Sequence, residues 1–306
     1  MITRRLIFIL ATAGTLAVTA APASASASTQ APEAVSANWA GYVVGDAPGS
    51  FSRVSGSWVV PTDNCTASDG DAAFWVGLGG TDQESGSLEQ VGTEANCTSG
   101  SPDYYAWYEL VPSAPVRLDL AVSPGDHISA SVAVSGSEVT VALTDQTTGG
   151  SATKTLTMSD PDTSSAEWIA EAPSECGQGI TDCQPLPLAD FGTATFTDAS
   201  ATAAGHTGSI SDSSWTAQPV ALSGSDPGAG FGDPGFASLG SGAGASPSGL
   251  SSSGSAFSVS WSDGAAQTSD SEGSYGGYGG YGGYGAYGGY GGYGGYYGYG
   301  GYGTAY

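Results

Sequence analysis

Between Ala166 and Glu171 the chain reads Ala-Glu-Trp-Ile-Ala-Glu, two carboxylates and an indole within six residues. On a strand, side chains alternate between faces, so Glu167, Ile169 and Glu171 share one face and Trp168 takes the other. Acidic residues are depleted in strands, so two on one face mark either a solvated surface or a working one. A carboxylate can serve as a general base, provided a second group stabilises the charge that its action creates. The rest of the chain offers carboxylates, amides and indoles for that purpose: Trp39, Trp75, Gln90, Trp107 and Glu109. It has no G-x-S-x-G elbow, no H-E-x-x-H and no Asp-Thr/Ser-Gly. Any nucleophilic triad must recruit His127 or His206, the only histidines, and His127 follows a Pro-Gly-Asp turn that places it at a surface strand start. There is no C-x-x-C either, so neither a metal nor another cofactor is expected.

The chain of 306 residues carries 5 basic and 29 acidic side chains, a formal net charge of −24. Such a surface repels nucleic acid and anionic membranes. Arg4-Arg5, an apolar run from Leu6 to about Ala20, and Ala23-Ser24-Ala25-Ser26-Ala27 have the order of a secretory signal peptide. The run is short for a membrane span, and the expectation is a secreted, extracellular protein. Residues 1–27 hold two of the basic side chains and no acidic one. With every carboxyl protonated, Arg53, Arg117, Lys154 and the histidines alone would remain charged, so self-repulsion in acid is weak. In an exported chain, Cys65, Cys97, Cys176 and Cys183 read as two disulfides. Of the three possible pairings the favoured one joins Cys65 to Cys97 and Cys176 to Cys183.

The elements that position these residues are strands. Segments 54–61, 72–80, 104–111, 116–122, 127–134, 138–144 and 152–158 are short and rich in β-branched or aromatic residues. Segments 166–172, 194–201, 208–211, 215–222 and 256–261 continue them, with Gly, Pro, Asn, Asp and Ser at the joins. No amphipathic helix is evident. This spacing predicts an all-β fold, an antiparallel two-sheet β-sandwich of jelly-roll or concanavalin-like type. The expected organisation is a signal peptide at 1–27, a short extension at 28–34, one sandwich domain at 35–264 and a low-complexity tail at 265–306. Within the domain, 223–248 reads as a Gly/Ser-rich surface loop. The Gly-Gly-Tyr tract at 275–306 carries no charge and is expected to be disordered, either inert or attaching the protein to a wall, a matrix or itself.

Several motifs, in order, resemble the glutamic peptidases, or eqolisins. Ser36-Ala37-Asn38-Trp39-Ala40-Gly41 is similar to S-x-N-W-x-G, and Trp75-Val76-Gly77-Leu78-Gly79-Gly80 to W-V-G-I-D-G. Leu88-Glu89-Gln90-Val91-Gly92 resembles the segment around that family's catalytic glutamine, and Ala106-Trp107-Tyr108-Glu109 matches A-W-Y-E. Ala166–Glu171 matches A-E-W-I-x-E, and Phe257-Ser258-Val259-Ser260-Trp261 resembles the closing strand. The likeness spans about 36–262. It implies a β-sandwich with a groove on its concave face, protein or peptide substrates, Glu171 as general base and Gln90 as oxyanion stabiliser. Trp39, Trp75 and Trp107 then line the groove or fill the core, Glu109 is a supporting carboxylate, and Glu167 is structural.

The chain departs from that pattern at three places. Gly79 stands where the family often carries aspartate, so that support is missing or comes from Asp82. Glu89 stands beside the proposed amide where a small or apolar residue is usual, and Leu110 replaces a common tryptophan. Two other readings remain open on the residues alone. One is a jelly-roll glycosidase using Glu109 and Glu171. The other is a non-catalytic carbohydrate-binding or adhesive sandwich.

Overall fold

The computed structural model describes residues 31–66, 69–81, 86–176, 183–223 and 242–263, the side chains at 176, 183 and 184 excepted. The expected leader and tail lie outside the described residues. Every regular element described is a strand. In chain order these are β1 (Ala34–Ser36), β2 (Trp39–Gly45), β3 (Phe51–Val59), β4 (Gly70–Gly79), β5 (Leu88–Thr98) and β6 (Ser101–Val111). There follow β7 (Val116–Arg117), β8 (His127–Ser135), β9 (Glu138–Asp145), β10 (Ser151–Thr157), β11 (Ala166–Glu171) and β12 (Ser174–Cys176). The last six are β13 (Cys183–Pro185), β14 (Thr193–Ala203), β15 (His206–Gly208), β16 (Thr216–Ser223), β17 (Gly244–Pro247) and β18 (Phe257–Ser262).

One hydrogen-bonded path runs β10-β9-β8-β3-β14-β18-β17-β16-β2-β11-β4-β5-β6-β7. Its two halves fold face to face, which makes the sandwich from a single continuous sheet. Among the described strands only β1, on β16, joins the ladder in parallel. In the back half, residues alternate cleanly: Ile128, Ala130 and Val132 of β8 and Val139, Val141 and Leu143 of β9 point inward while Ser and Thr point out. They meet Tyr42, Phe74, Val76, Leu78, Val91 and Trp168 of the front half in one core. Two indoles stitch the layers together, Trp168 donating to Ser55 O at 2.8 Å and Trp58 to Thr93 Oγ1 at 2.9 Å.

The front half differs, because β2, β4 and β11 are buried on both faces and so read as nearly continuous apolar runs. Their second face carries an apolar cluster of its own, with Trp39, Val43, Trp75, Leu88, Trp107, Ile169 and Val220. That face holds the candidate site. The disulfide Cys65–Cys97 ties the far end of β5 to the segment after β3, as expected. The backbone sets Cys176 directly opposite Cys183 in the β12–β13 hairpin.

Three expectations need correction. Strands β2 and β5, both central to the site, are missing from the expected set, because each is interrupted by glycine or charge and lacks a clean two-residue period. The supposed loop 223–248 contains β17, which joins β16 to β18, while 224–241 lies outside the described residues. The expected strand 116–122 shortens to β7, after which Leu118 and Val122 are buried without strand pairing. Among the described residues no helix is long and apolar enough to cross a membrane.

Candidate active site

Register decides which side chains share the second face. Across β11, β4, β5 and β6, one row contains Glu171, Ala73, Glu94 and Tyr105. The next contains Ile169, Trp75, Gly92 and Trp107, and a third contains Glu167, Gly77, Gln90 and Glu109. Gln90 and Glu171 therefore lie on the same face, on strands separated by β4, with the Trp75–Gly92 row between them. Gly92 makes room there, since a Cβ at that position would lie 2.6 Å from the Trp75 Cβ.

Glu171 is half-buried, and two donors converge on it: Asn38 Nδ2 reaches Oε1 at 2.9 Å and Trp75 Nε1 reaches Oε2 at 2.7 Å. The Asn38 amide is aimed by its own turn. Ser36 Oγ accepts the backbone N–H groups of Asn38 and Trp39 at 3.3 and 3.1 Å, and its hydroxyl donates to Asn38 Oδ1 at 3.3 Å. A Ser-x-Asn turn thus converts a strand connection into a fixed donor. Trp39 packs edge-on against Trp75 with ring centroids 5.1 Å apart, and its indole also favours the ionised form of Glu171. Burial outweighs these donors and raises the Glu171 carboxyl above its ordinary value.

Gln90 is 4% exposed and its Nε2 donates to Glu109 Oε2 at 2.8 Å, not to Glu171. Its Oε1 is buried without a partner. Glu109 is 9% exposed; burial, followed by the nearby Glu171, pushes its carboxyl up to about 8. Trp39, Trp75 and Trp107 are each almost wholly buried and pack together in the apolar cluster of the site face. The Trp107 indole N–H has no partner among the described residues.

The sequence reading missed three residues. Asn38 sits inside the Ser-x-Asn-Trp segment, where residue type alone gives no sign of a donor aimed at Glu171. Glu94 lies in the Glu171 row, where Asn96 donates to Oε1 at 2.7 Å and accepts from the Tyr105 hydroxyl at 3.3 Å. Its place on the Gln90 face follows from counting by twos along β5. The third is Asp162. Glu89, although next to Gln90 in sequence, points to the opposite face and accepts the Asp162 N–H at 3.1 Å. Asp162 Oδ2 in turn accepts from Gly80 N at 3.2 Å, and a Cβ on Gly79 would lie 2.4 Å from the Asp162 Cβ. Asp162, from the loop before β11, thus occupies the space that a side chain at position 79 would fill, whereas Asp82 lies outside the described residues. Glu167, wholly buried in the Gln90 row of the site face, is near enough to Asp162 and Glu89 that, after burial, their charges also raise its carboxyl.

A sequence model of the Peptidase A4 family matches residues 37–223, a span containing Asn38, Trp75, Gln90, Glu109 and Glu171. The chain belongs to the Peptidase A4 family. It is 33% identical over 205 residues to aspergillopepsin-2 of Aspergillus niger, a match covering 59% of this chain and 69% of that protein. Scytalidopepsin B of Scytalidium lignicola is 32% identical over 188 residues, covering 60% and 70%. The crystal structure of scytalido-glutamic peptidase with a transition-state analogue inhibitor superposes with a TM-score of 0.58 at 26% identity, covering 74% of this chain and 98% of that one. An eqolisin-family peptidase bound to the tripeptide Ala-Ile-His superposes with a TM-score of 0.54 at the same identity and coverage. This Peptidase A4 chain is accordingly a glutamic endopeptidase, a hydrolase of peptide bonds, on an eqolisin β-sandwich. Membership sets aside the glycosidase and purely adhesive readings.

Proposed function

We propose that this endopeptidase is secreted, acts in acid, and cleaves proteins and peptides with Glu171 as general base and Gln90 as oxyanion stabiliser. Ionised Glu171 takes a proton from water as the water oxygen bonds to the scissile carbonyl carbon. The carbonyl π pair moves to its oxygen, where a Gln90 N–H stabilises the new charge without itself titrating. Protonated Glu171 then delivers its proton to the leaving nitrogen, the carbon–nitrogen bond breaks and the carbonyl reforms. No covalent intermediate or cofactor is required in this sequence.

One observation carries the reading: of the carboxyls on the site face, Glu171 is the one with an indole and an amide aimed at its two oxygens. Charge that enters the cluster is thereby directed to Glu171. Trp39, Trp75 and Trp107 wall the groove that takes the peptide. The apolar leader and A-x-A site at the N-terminus support export. The test is cleavage of denatured protein across acidic pH by the purified full chain and its Glu171→Gln and Gln90→Ala forms. Loss of cleavage in both variants is expected, and retained activity in either refutes its assignment. Deleting 275–306 is expected to leave cleavage intact and to abolish any attachment to walls or to other copies.

A further inference from the structure

Gln90 Nε2 carries two hydrogens, and its bond to Glu109 commits one of them. A single N–H is left for a developing oxyanion, whereas such sites work through several converging donors. The group best placed to supply another is Glu109. It is the register partner of Gln90, its Oε2 lies 2.8 Å from the amide nitrogen, and its Oε1 has no partner among the described residues. By amide geometry an oxygen that accepts the free Gln90 N–H lies about 5 Å from Oε2, so Oε1 is the Glu109 oxygen that can reach it.

The surroundings decide which form of Glu109 is present. From β5 it is faced by Gln90 and Glu94, and from β11 by Glu171. The guanidinium of Arg117 on β7 is turned away, lying 3.5 Å from the Tyr105 ring centroid and paired with Asp103 at 2.7 Å. Glu109 thus receives one neutral amide bond, sits near two other carboxyls and is buried. It is kept as a neutral acid, in line with a carboxyl pushed up to about 8. Neutral carboxylic acids held in this way can serve enzymes as hydrogen-bond donors.

We propose that Glu109 is a further catalytic residue: its carboxylic O–H donates, beside the Gln90 amide, the second hydrogen bond to the scissile carbonyl oxygen as that oxygen becomes an anion. This rests on the Glu171–Gln90 reading and deepens it. Glu109 keeps its proton throughout; when the carbon–nitrogen bond breaks, the electron pair on oxygen returns to the carbonyl and the hydrogen bond weakens. Ionisation of Glu109 removes the donor and sets a like charge against the oxyanion. The upper pH limit of activity therefore belongs to Glu109, and the lower limit to Glu171.

The experiment is a pH–rate profile of the full chain on an internally quenched peptide, with initial rates taken directly after a pH jump from acid. Glu109→Gln keeps both an acceptor for Gln90 and a donor that never ionises, and Glu109→Leu keeps neither. The Leu variant is expected to lose kcat by about 10²–10³-fold with KM within about threefold. The Gln variant is expected to recover most of that loss and to move the alkaline limb upward by at least about one pH unit. A Gln variant as inactive as Glu171→Gln, or one whose alkaline limb stays in place, overturns the proposal. So does a Leu variant whose defect lies in KM. If the Leu variant lacks native near-ultraviolet circular dichroism, the Gln profile decides alone. Activity in Glu171→Gln would overturn the underlying dyad instead, which separates the two failures.

Discussion

Trp75 donates its indole N–H to Glu171 at 2.7 Å, although the residue facing Glu171 on that strand is Ala73. The indole leans back one row, over the small side chain, to reach the carboxylate. A bond of this kind to an ionised group contributes about 1.5–3 kcal/mol. Trp75→Phe keeps the ring and removes the donor, so the Glu171 pKa should rise by about one to two units. The acid limb of kcat/KM should shift upward by the same amount, as measured on a peptide substrate.

Asn38 and Trp75 hold different oxygens of the same carboxylate, so their effects should not add. Asn38→Leu should shift the acid limb in the same direction as Trp75→Phe. A double-mutant cycle on kcat/KM should show a coupling of about 0.5–3 kcal/mol, and strict additivity would mean that the two donors act independently.

Stability should fall as pH rises. Burial pushes the Glu89 carboxyl to about 8 and Asp63 to about 7, and Glu167 well above the usual range. The unfolded chain releases these protons near pH 4, so it binds fewer protons than the native state between there and the folded pKa. The stabilisation is complete in acid and is lost as pH climbs through about 5 to 8. Asp145, whose carboxyl is held down first by its bond to the Thr148 hydroxyl, acts oppositely and only in strong acid. Calorimetry should show Tm dropping between pH 4 and 8. Glu89→Gln, which still accepts the Asp162 N–H, should remove about 2–4 kcal/mol of that drop.

Restoring the family's aspartate at position 79 should harm this protein. Gly79 adopts φ of +83°, and its Cβ would meet Asp162 at 2.4 Å. Gly79→Asp should destabilise by about 2 kcal/mol or more through backbone strain and like charge, read from urea unfolding. Combining it with Asp162→Gly should return part of the loss.

The Cys65–Cys97 bridge spans 32 positions and joins two buried ends. Replacing both cysteines by serine should cost about 3–4 kcal/mol of unfolding free energy in denaturant titration, with little effect on kcat at acidic pH.

The sheet was legible where one face meets water, as along β8 and β9, because a period of two then survives in the sequence. It was obscured in β2 and β5, which are covered on both sides and so carry glycine or carboxylate where alternation predicts otherwise. Residue type and motif order single out Gln90, Glu109 and Glu171 as candidates. The Gln90–Glu109 bond was not legible, since it depends on which residue of β6 faces which residue of β5. Asp162 was illegible for a related reason: its loop meets Gly79 only through the turn of the chain from β10 into β11.

Glu89, Asp162 and Glu167 lie close together beneath that loop, in a chain with almost no lysine or arginine to answer them. At neutral pH Glu89 and Glu167, whose carboxyls burial holds above the usual range, must surrender protons inside a structure that has no place for the resulting charge. The enzyme would then come apart of its own accord, so its own unfolding should limit its destructive reach as the surroundings turn neutral.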